Sequence, residues 1–334
     1  MFKKIIAVSA TILCFCTAQA QDPLFSQYYA NPLYLNPAMA GSNVGPRFVM
    51  NYRNQWPAIP GTFVTYSASY DQYFDAISGG LGVQALADRT GESMYATNAV
   101  NVMYSNNINL TRKLAIKTGL QAGYTNRSFN WDNLVFGDQI DARLGVVRGT
   151  LENTPIPGGG GITSANFFDF AAGMLLYSEN FYGGVAAHHL TQPNESILTG
   201  GNQTAQMYMK WTGHVGGNIT LRKETFRNLG TSISPNLIFQ HQGPFNTLNL
   251  GMYLNHGPMV GGVWYRVSGK TYDSFMVLLG VQKGAFKVGY SYDLTTSGLN
   301  TATSGSHEMS IAFSFEEKQK NKKRRIEKLK CPQF

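Results

Sequence analysis

Cysteine is nearly absent from this 334-residue chain, with only three in all. Cys14 and Cys16 fall in the first twenty residues, and Cys331 stands alone beyond them. A lone thiol excludes an internal disulfide framework and a cysteine-based metal site. Long apolar runs are missing too. After residue 20 no run reaches the roughly 18 residues that a membrane-crossing helix needs. Charge is sparse, at 14% of residues, and its net of +8 is unevenly placed. Lys3 and Lys4 carry two of those charges, and residues 316–334 carry a net of five (eight Lys/Arg against Glu316, Glu317 and Glu327), so the rest is near +1. That excludes a basic nucleic-acid-binding domain.

What is present begins with a secretory leader over 1–20. Lys3 and Lys4 form its basic start, Ile5 to Cys16 its apolar run, and Ala18-Gln19-Ala20 a small-x-small cleavage site before Gln21. A lipid-accepting cysteine is not expected, because Leu13 and Phe15 precede Cys14 and Cys16 where a small residue would be needed.

The body of the chain alternates with a period of two. Phe286, Val288, Tyr290 and Tyr292 alternate with Lys287, Gly289, Ser291 and Asp293. Phe275, Val277, Leu279 and Val281 share one face, as do Met309, Ile311, Phe313 and Phe315, with His307, Ser310 and Ser314 among the intervening residues. Leu114, Ile116, Leu120, Ala122 and Tyr124 oppose Lys117, Gly119, Gln121 and Gly123, and Leu248, Leu250, Met252 and Leu254 oppose Asn249 and Gly251. Successive strand residues point to opposite faces, so each apolar set covers one face. Lipid cannot satisfy free backbone N–H and C=O groups, so strands cross a bilayer only as a closed barrel. Strands of roughly ten residues between Gly/Asn/Asp turns, with abundant Tyr and Phe for the interfacial girdles, fit that design.

The alternation predicts an all-β fold, a transmembrane antiparallel outer-membrane β-barrel of about fourteen strands. The strands are expected at 46–55, 61–72, 77–87, 94–108, 112–127, 166–178, 180–189, 207–221, 231–242, 246–255, 258–268, 272–283, 285–294 and 306–316. Connections after odd strands include the long 128–165, 190–206 and 295–305. Those after even strands include the tight 178–180, 255–258 and 283–285, with 221–231 the exception. Barrels of this kind have short periplasmic turns and long external loops, so both termini are expected in the periplasm. The expected divisions are a leader (1–20), an N-terminal segment (21–45), the barrel (46–316) and a basic periplasmic tail (317–334). Residues 21–45 lack periodicity. They are expected to plug the barrel, to line its periplasmic mouth, or to be an ordinary ordered leader.

Little in the sequence points to catalysis, and no cofactor or metal site is expected. His188 and His189 are adjacent, and strand neighbours face opposite ways, so they are poorly placed to share a metal. Ser196 and Glu195 follow His189 without a nucleophile elbow. Ser268-Gly269-Lys270-Thr271 resembles the end of a phosphate loop, but Trp264 stands where its first glycine belongs, and it reads as a hairpin turn. Gly158 to Gly161 reads as flexible loop.

Fixed words along the chain carry a resemblance: QDPLFSQYYANPLYLNPAMAG at 21–41, YRNQWPAIPGTFVTYSASYD at 52–71, HLTQPNES at 189–196, SPNLIFQHQGPFNTLNLGMYL at 234–254, GVWYR at 262–266, VLLGVQKGAFKVGYSYDLTTSGL at 277–299, GSHEMSIAFSF at 305–315 and the closing CPQF at 331–334. Together they resemble the PorP/SprF family of outer-membrane proteins of the type IX secretion and gliding machinery. The resemblance implies a non-enzymatic barrel that anchors a secreted surface protein, or assists its export, through protein contacts. It implies as partners the outer-membrane lipids, periplasmic ring or peptidoglycan-linked components of the secretion system, and a secreted surface protein with a C-terminal sorting domain. Loops 128–165 and 190–206 are expected to hold such a client. In the tail, Lys322, Lys323, Arg324 and Arg325 are expected to dock an acidic partner, with Cys331 and Phe334 beside them. Cys331 is either a lone thiol or pairs with another protein. A porin for small solutes, its open lumen lined by Lys117, Gln121 and Asn249, is the alternative. A lipid-acting barrel enzyme using His188, His189 and Ser196 is a third reading.

Overall fold

The computed structural model describes residues 22–315 apart from 44, 60, 92–93, 112, 142, 147–160, 198–204, 226–228, 269–273 and 297–303. Its strands are β1 (Arg47–Gln55), β2 (Phe63–Phe74), β3 (Gly79–Thr90), β4 (Tyr95–Asn109), β5 (Leu114–Asn130), the short pair β6 (Ile140–Asp141) and β7 (Gly145–Val146), β8 (Ile162–Ser178), β9 (Phe181–His188), β10 (Lys210–Gly217), β11 (Ile219–Arg222), β12 (Thr231–Gln242), β13 (Phe245–His256), β14 (Met259–Ser268), β15 (Ser274–Lys283), β16 (Phe286–Thr295) and β17 (Ser306–Ser314). Apart from the β6–β7 hairpin, each pairs antiparallel with its neighbours in one continuous sheet. β10 and β11 both pair with β12 and form one interrupted stave, so the wall has fourteen staves, as the alternation predicts. Pairing of β1 with β17, from Arg47↔Ser314 to Gln55↔Ser306, and of β10 with β12 closes the barrel.

The interruption falls at Asn218, inside the expected strand 207–221. Asn218 N–H leaves the ladder and donates to the carbonyl of Asn180 at 2.8 Å. The tight turns sit where a positive φ is needed and glycine supplies it, as at Gly257 (φ 56°) and Gly284 (φ 61°).

The outer face is apolar and open: Leu120, Tyr124, Phe168, Leu250, Leu279 and Met309 are all exposed. The opposite face is buried. Asn51, Arg53, Ser67, Asp71, Gln84, Lys117, Asn249, Asp293 and Glu308 all lie inside. His307 differs from its expected place. It shares the outer face with Met309 and meets Tyr290 Oη at 2.7 Å, while Glu308 takes the inward position.

The lumen is filled by the chain's own N-terminal segment. Residues 25–33 and 35–41 are buried, in three short helical turns at Tyr28–Ala30, Pro32–Leu35 and Pro37–Met39. Pro32 and Pro37 open their turns, where a missing N–H costs nothing. This segment gives the lumen an apolar core. Tyr28, Tyr29, Leu35 and Met39 cluster with the inward-facing Leu175, Tyr182, Ile238, Tyr253, Trp264, Met276 and Leu278. The Tyr28 and Trp264 rings lie 5.2 Å apart, those of Tyr29 and Tyr182 5.7 Å, edge to face. Burying each large side chain contributes about 1.5–3 kcal/mol.

Candidate functional site

The segment is held at three levels. At the end of the barrel that carries the short turns, Gly41 N–H donates to Asp71 at 2.7 Å, and Arg47 grips the same carboxylate through two nitrogens at 2.8 and 3.0 Å. Such a two-point pairing is both strong and directional. Ser105 donates to the carbonyl of Ala40 at 2.6 Å.

Near the long-loop ends of β1, β14, β16 and β17, four buried charges converge. Arg53 meets Asp293 at 3.4 Å and Glu308 at 3.3 Å, and Arg266 meets Asp293 at 3.3 Å. Two cations face two anions, so the cluster is neutral. It is completed by the plug: Glu308 accepts from the backbone N–H groups of Ser26 (2.6 Å) and Gln27 (3.1 Å). Arg266 donates to Tyr28 Oη at 3.0 Å, and that hydroxyl donates to Asn249 at 2.6 Å. Deeper, Asn36 accepts from Ala38 N–H at 2.9 Å and donates to the carbonyls of Met174 and Val185 at 3.2 and 3.3 Å. Its amide also lies 3.2 Å from His214 Nε2.

At the long-loop end, Asp22 is clamped by His189 (2.8 Å) and Lys210 (3.3 Å), and the other ring nitrogen of His189 meets Asp169 at 2.8 Å. Burial opposes the imidazolium of His189, but Asp22 and Asp169 outweigh it and raise its pKa to about 9. Burial likewise opposes charge on Asp22, yet His189 and Lys210 hold its carboxyl well below the usual range. A cavity of about 90 Å³ opens beside this clamp, lined by Asp88, Gln121, Arg127, Asp169 and His188 among others. Arg127, which lines the cavity, also pairs with Glu195.

Both His188 and His189 line this cavity, contrary to the alternation expected of strand neighbours. The cause is local: His189 leaves β9 in the left-handed region, φ 58°, and turns inward. Both its nitrogens are engaged by carboxylates, Asp22 ahead of the barrel and Asp169 of β8. Lys117, Gln121 and Asn249 face the lumen, as expected of lumen residues, but they lie buried, with Asn249 bonded to the plug. Lys322, Lys323, Arg324, Arg325, Cys331 and Phe334 lie outside the described residues, as do the expected leader at 1–20, Gly269 to Thr271 and Gly158 to Gly160.

The sequence pattern of the type IX secretion system membrane protein PorP/SprF matches residues 17–313. The chain belongs to the PorP/SprF family. It is thus an outer-membrane β-barrel of type IX secretion, a membrane component of that machinery. No curated protein sequence matches it. Among solved structures, this PorP/SprF chain is similar to the CymD monoaromatic hydrocarbon channel (12% identity, 86% of this chain and 93% of that one, TM-score 0.47). It is similar also to the outer membrane protein Omp33 of Acinetobacter baumannii (11%, 82% and 100%, 0.43) and the P. putida toluene transporter TodX (8%, 85% and 93%, 0.47).

Reading the sequence for one polar and one apolar face missed the four-charge cluster and its plug contacts. A signal was there. β14 and β15 are apolar on their inner face as well, at Val260, Trp264, Met276 and Leu278, which a wet lumen would not favour.

Proposed function

We propose that this PorP/SprF protein is a non-enzymatic anchor that holds a secreted surface protein, or assists its export, through protein–protein contacts. The observation that carries this reading is the filled lumen. Residues 25–41 occupy it, which favours work done at the two ends of the barrel over work done through it. The loop parity supports placing both termini in the periplasm and the long loops outside. On that orientation the β6–β7 hairpin offers exposed Ile140, Leu144 and Val146 to a client, in keeping with binding residues concentrating on loops over rigid scaffolds. The basic tail, Lys322 to Arg325 with Cys331 and Phe334, serves an acidic periplasmic partner of the secretion ring or of a peptidoglycan-linked complex.

The test is mass spectrometry of what co-purifies with the tagged protein from gently solubilised outer membrane, for the full chain and for a deletion of 318–334. The full chain is expected to recover one large surface protein together with periplasmic components, and the deletion to lose only the latter. Unchanged recovery by the deletion overturns tail docking. An empty preparation combined with a stable open conductance level overturns the anchor in favour of the porin.

A further inference from the structure

Among the described residues, the outer wall is thin at β9 and β10. β9 and β10 are each eight residues long, against 17 for β5 and β8. Their outward rows are thinned by glycine: Phe181, Gly183, Val185 on β9 and Trp211, Gly213, Val215, Gly217 on β10. Register sets the gaps side by side. Gly213 lies between Val185 and Phe239, and Gly183 lies between Leu176 and Val215. The larger side chains of β8 (Met174, Leu176) and β12 (Leu237, Phe239) stand as banks on either side. The result is a groove of about 380 Å³. It opens on the lipid-facing surface, and its banks are apolar side chains. Residues 174–176 and 183–185 flank the Glu179–Asn180 turn, which places that side of the groove in the half of the wall nearer the short-turn end.

We propose that this groove binds one acyl chain of a phospholipid drawn from the leaflet at the short-turn end. Within a bilayer no hydrophobic force separates protein from lipid, so retention rests on packing. A chain lying against the flat wall meets protein on one side. A chain seated between the banks meets it on three, and dispersion contacts add up. An apolar hollow of this kind does not hold water, since it offers no polar partners. His214 also lines the groove, but it is buried and its Nε2 turns inward to Asn36. The continuity of the groove with the lipid-facing surface singles out the acyl chain as occupant.

The experiment is native mass spectrometry of the full chain, moved from nanodiscs of dioleoyl phosphatidylglycerol into detergent. Wild type is expected to retain one phospholipid per barrel. Gly213→Leu and Gly183→Leu are expected to lower that retention roughly tenfold, and Gly213→Ala to lower it partly. These substitutions suit the fold: a Cβ at Gly213 meets nothing within 4 Å, and one at Gly183 finds its nearest neighbour at 3.6 Å. The heat-modifiable gel shift of the folded barrel checks this for each variant, and wild type alone already decides the case if a variant fails it. Wild type carrying no lipid, or variants retaining it unchanged, would overturn the proposal. So would recovery from native membrane of a glycolipid or a protein segment in place of the phospholipid.

Discussion

Glu308 shows how single residues hold this molecule shut. Its side chain is wholly buried, accepts two plug N–H groups and faces Arg53. Removing one member of a buried ion pair leaves the other uncompensated, at a cost of about 3–5 kcal/mol. Glu308→Ala is therefore expected to release residues 24–28 while the barrel stays folded, and Glu308→Gln, which keeps an acceptor, to do so less. The rate of maleimide labelling at Leu24→Cys, in a Cys331→Ser background, measures this; an unchanged rate in Glu308→Ala sinks the idea. The His189 clamp adds a pH dependence. The raised His189 value means its contribution is complete below the ordinary value of 6.5 and is lost as pH rises through about 9. The lowered Asp22 value means its contribution is present above the ordinary 3.8 and is lost as pH falls through the lower folded value. The tether is therefore strongest from about pH 4 to 6.5. A spin label at Leu24→Cys is expected to gain mobility above pH 9, and His189→Gln to remove that transition.

Among the elements, β5 carries a close approach that depends on glycine. A Cβ at Gly119 would lie 2.3 Å from Ala38 N and 2.5 Å from the Pro37 carbonyl carbon. Both are backbone atoms with little room to move. Gly119→Ala is expected to push the 37–39 turn off the wall at a cost of about 1–3 kcal/mol. Protease cleavage within 22–41 should rise while the folded gel mobility is kept; cleavage at the wild-type rate would mean the turn does not rest on β5. The strands themselves were legible in the sequence, because period-two alternation is enforced by lipid on one side of every stave. The faces of His188 and His189 were not, because one left-handed residue at the strand end, at His189, reverses the rule. Nor was the break at Asn218, which depends on Asn180 of the adjacent β8–β9 turn.

For the whole molecule, the plug decides whether the barrel is a pore. Wild type is expected to be electrically silent in planar bilayers. Deleting 22–41 is expected to give a stable open level, since the remaining lumen face carries Arg53, Arg266, Asp293 and Glu308. A conducting wild type would return the porin to first place. By itself the sequence determined the fold class, the number of staves, the sorting of long and short connections, and the family. Each of these is written in local pattern or in contiguous words. Only the tertiary structure decided what fills the lumen and which charges meet there. Arg53 lies 240 residues from Asp293 and 255 from Glu308 along the chain. They become neighbours because the first strand closes on the last, and Ser26 to Tyr28 reach them only because the chain before β1 runs back inside the barrel it precedes.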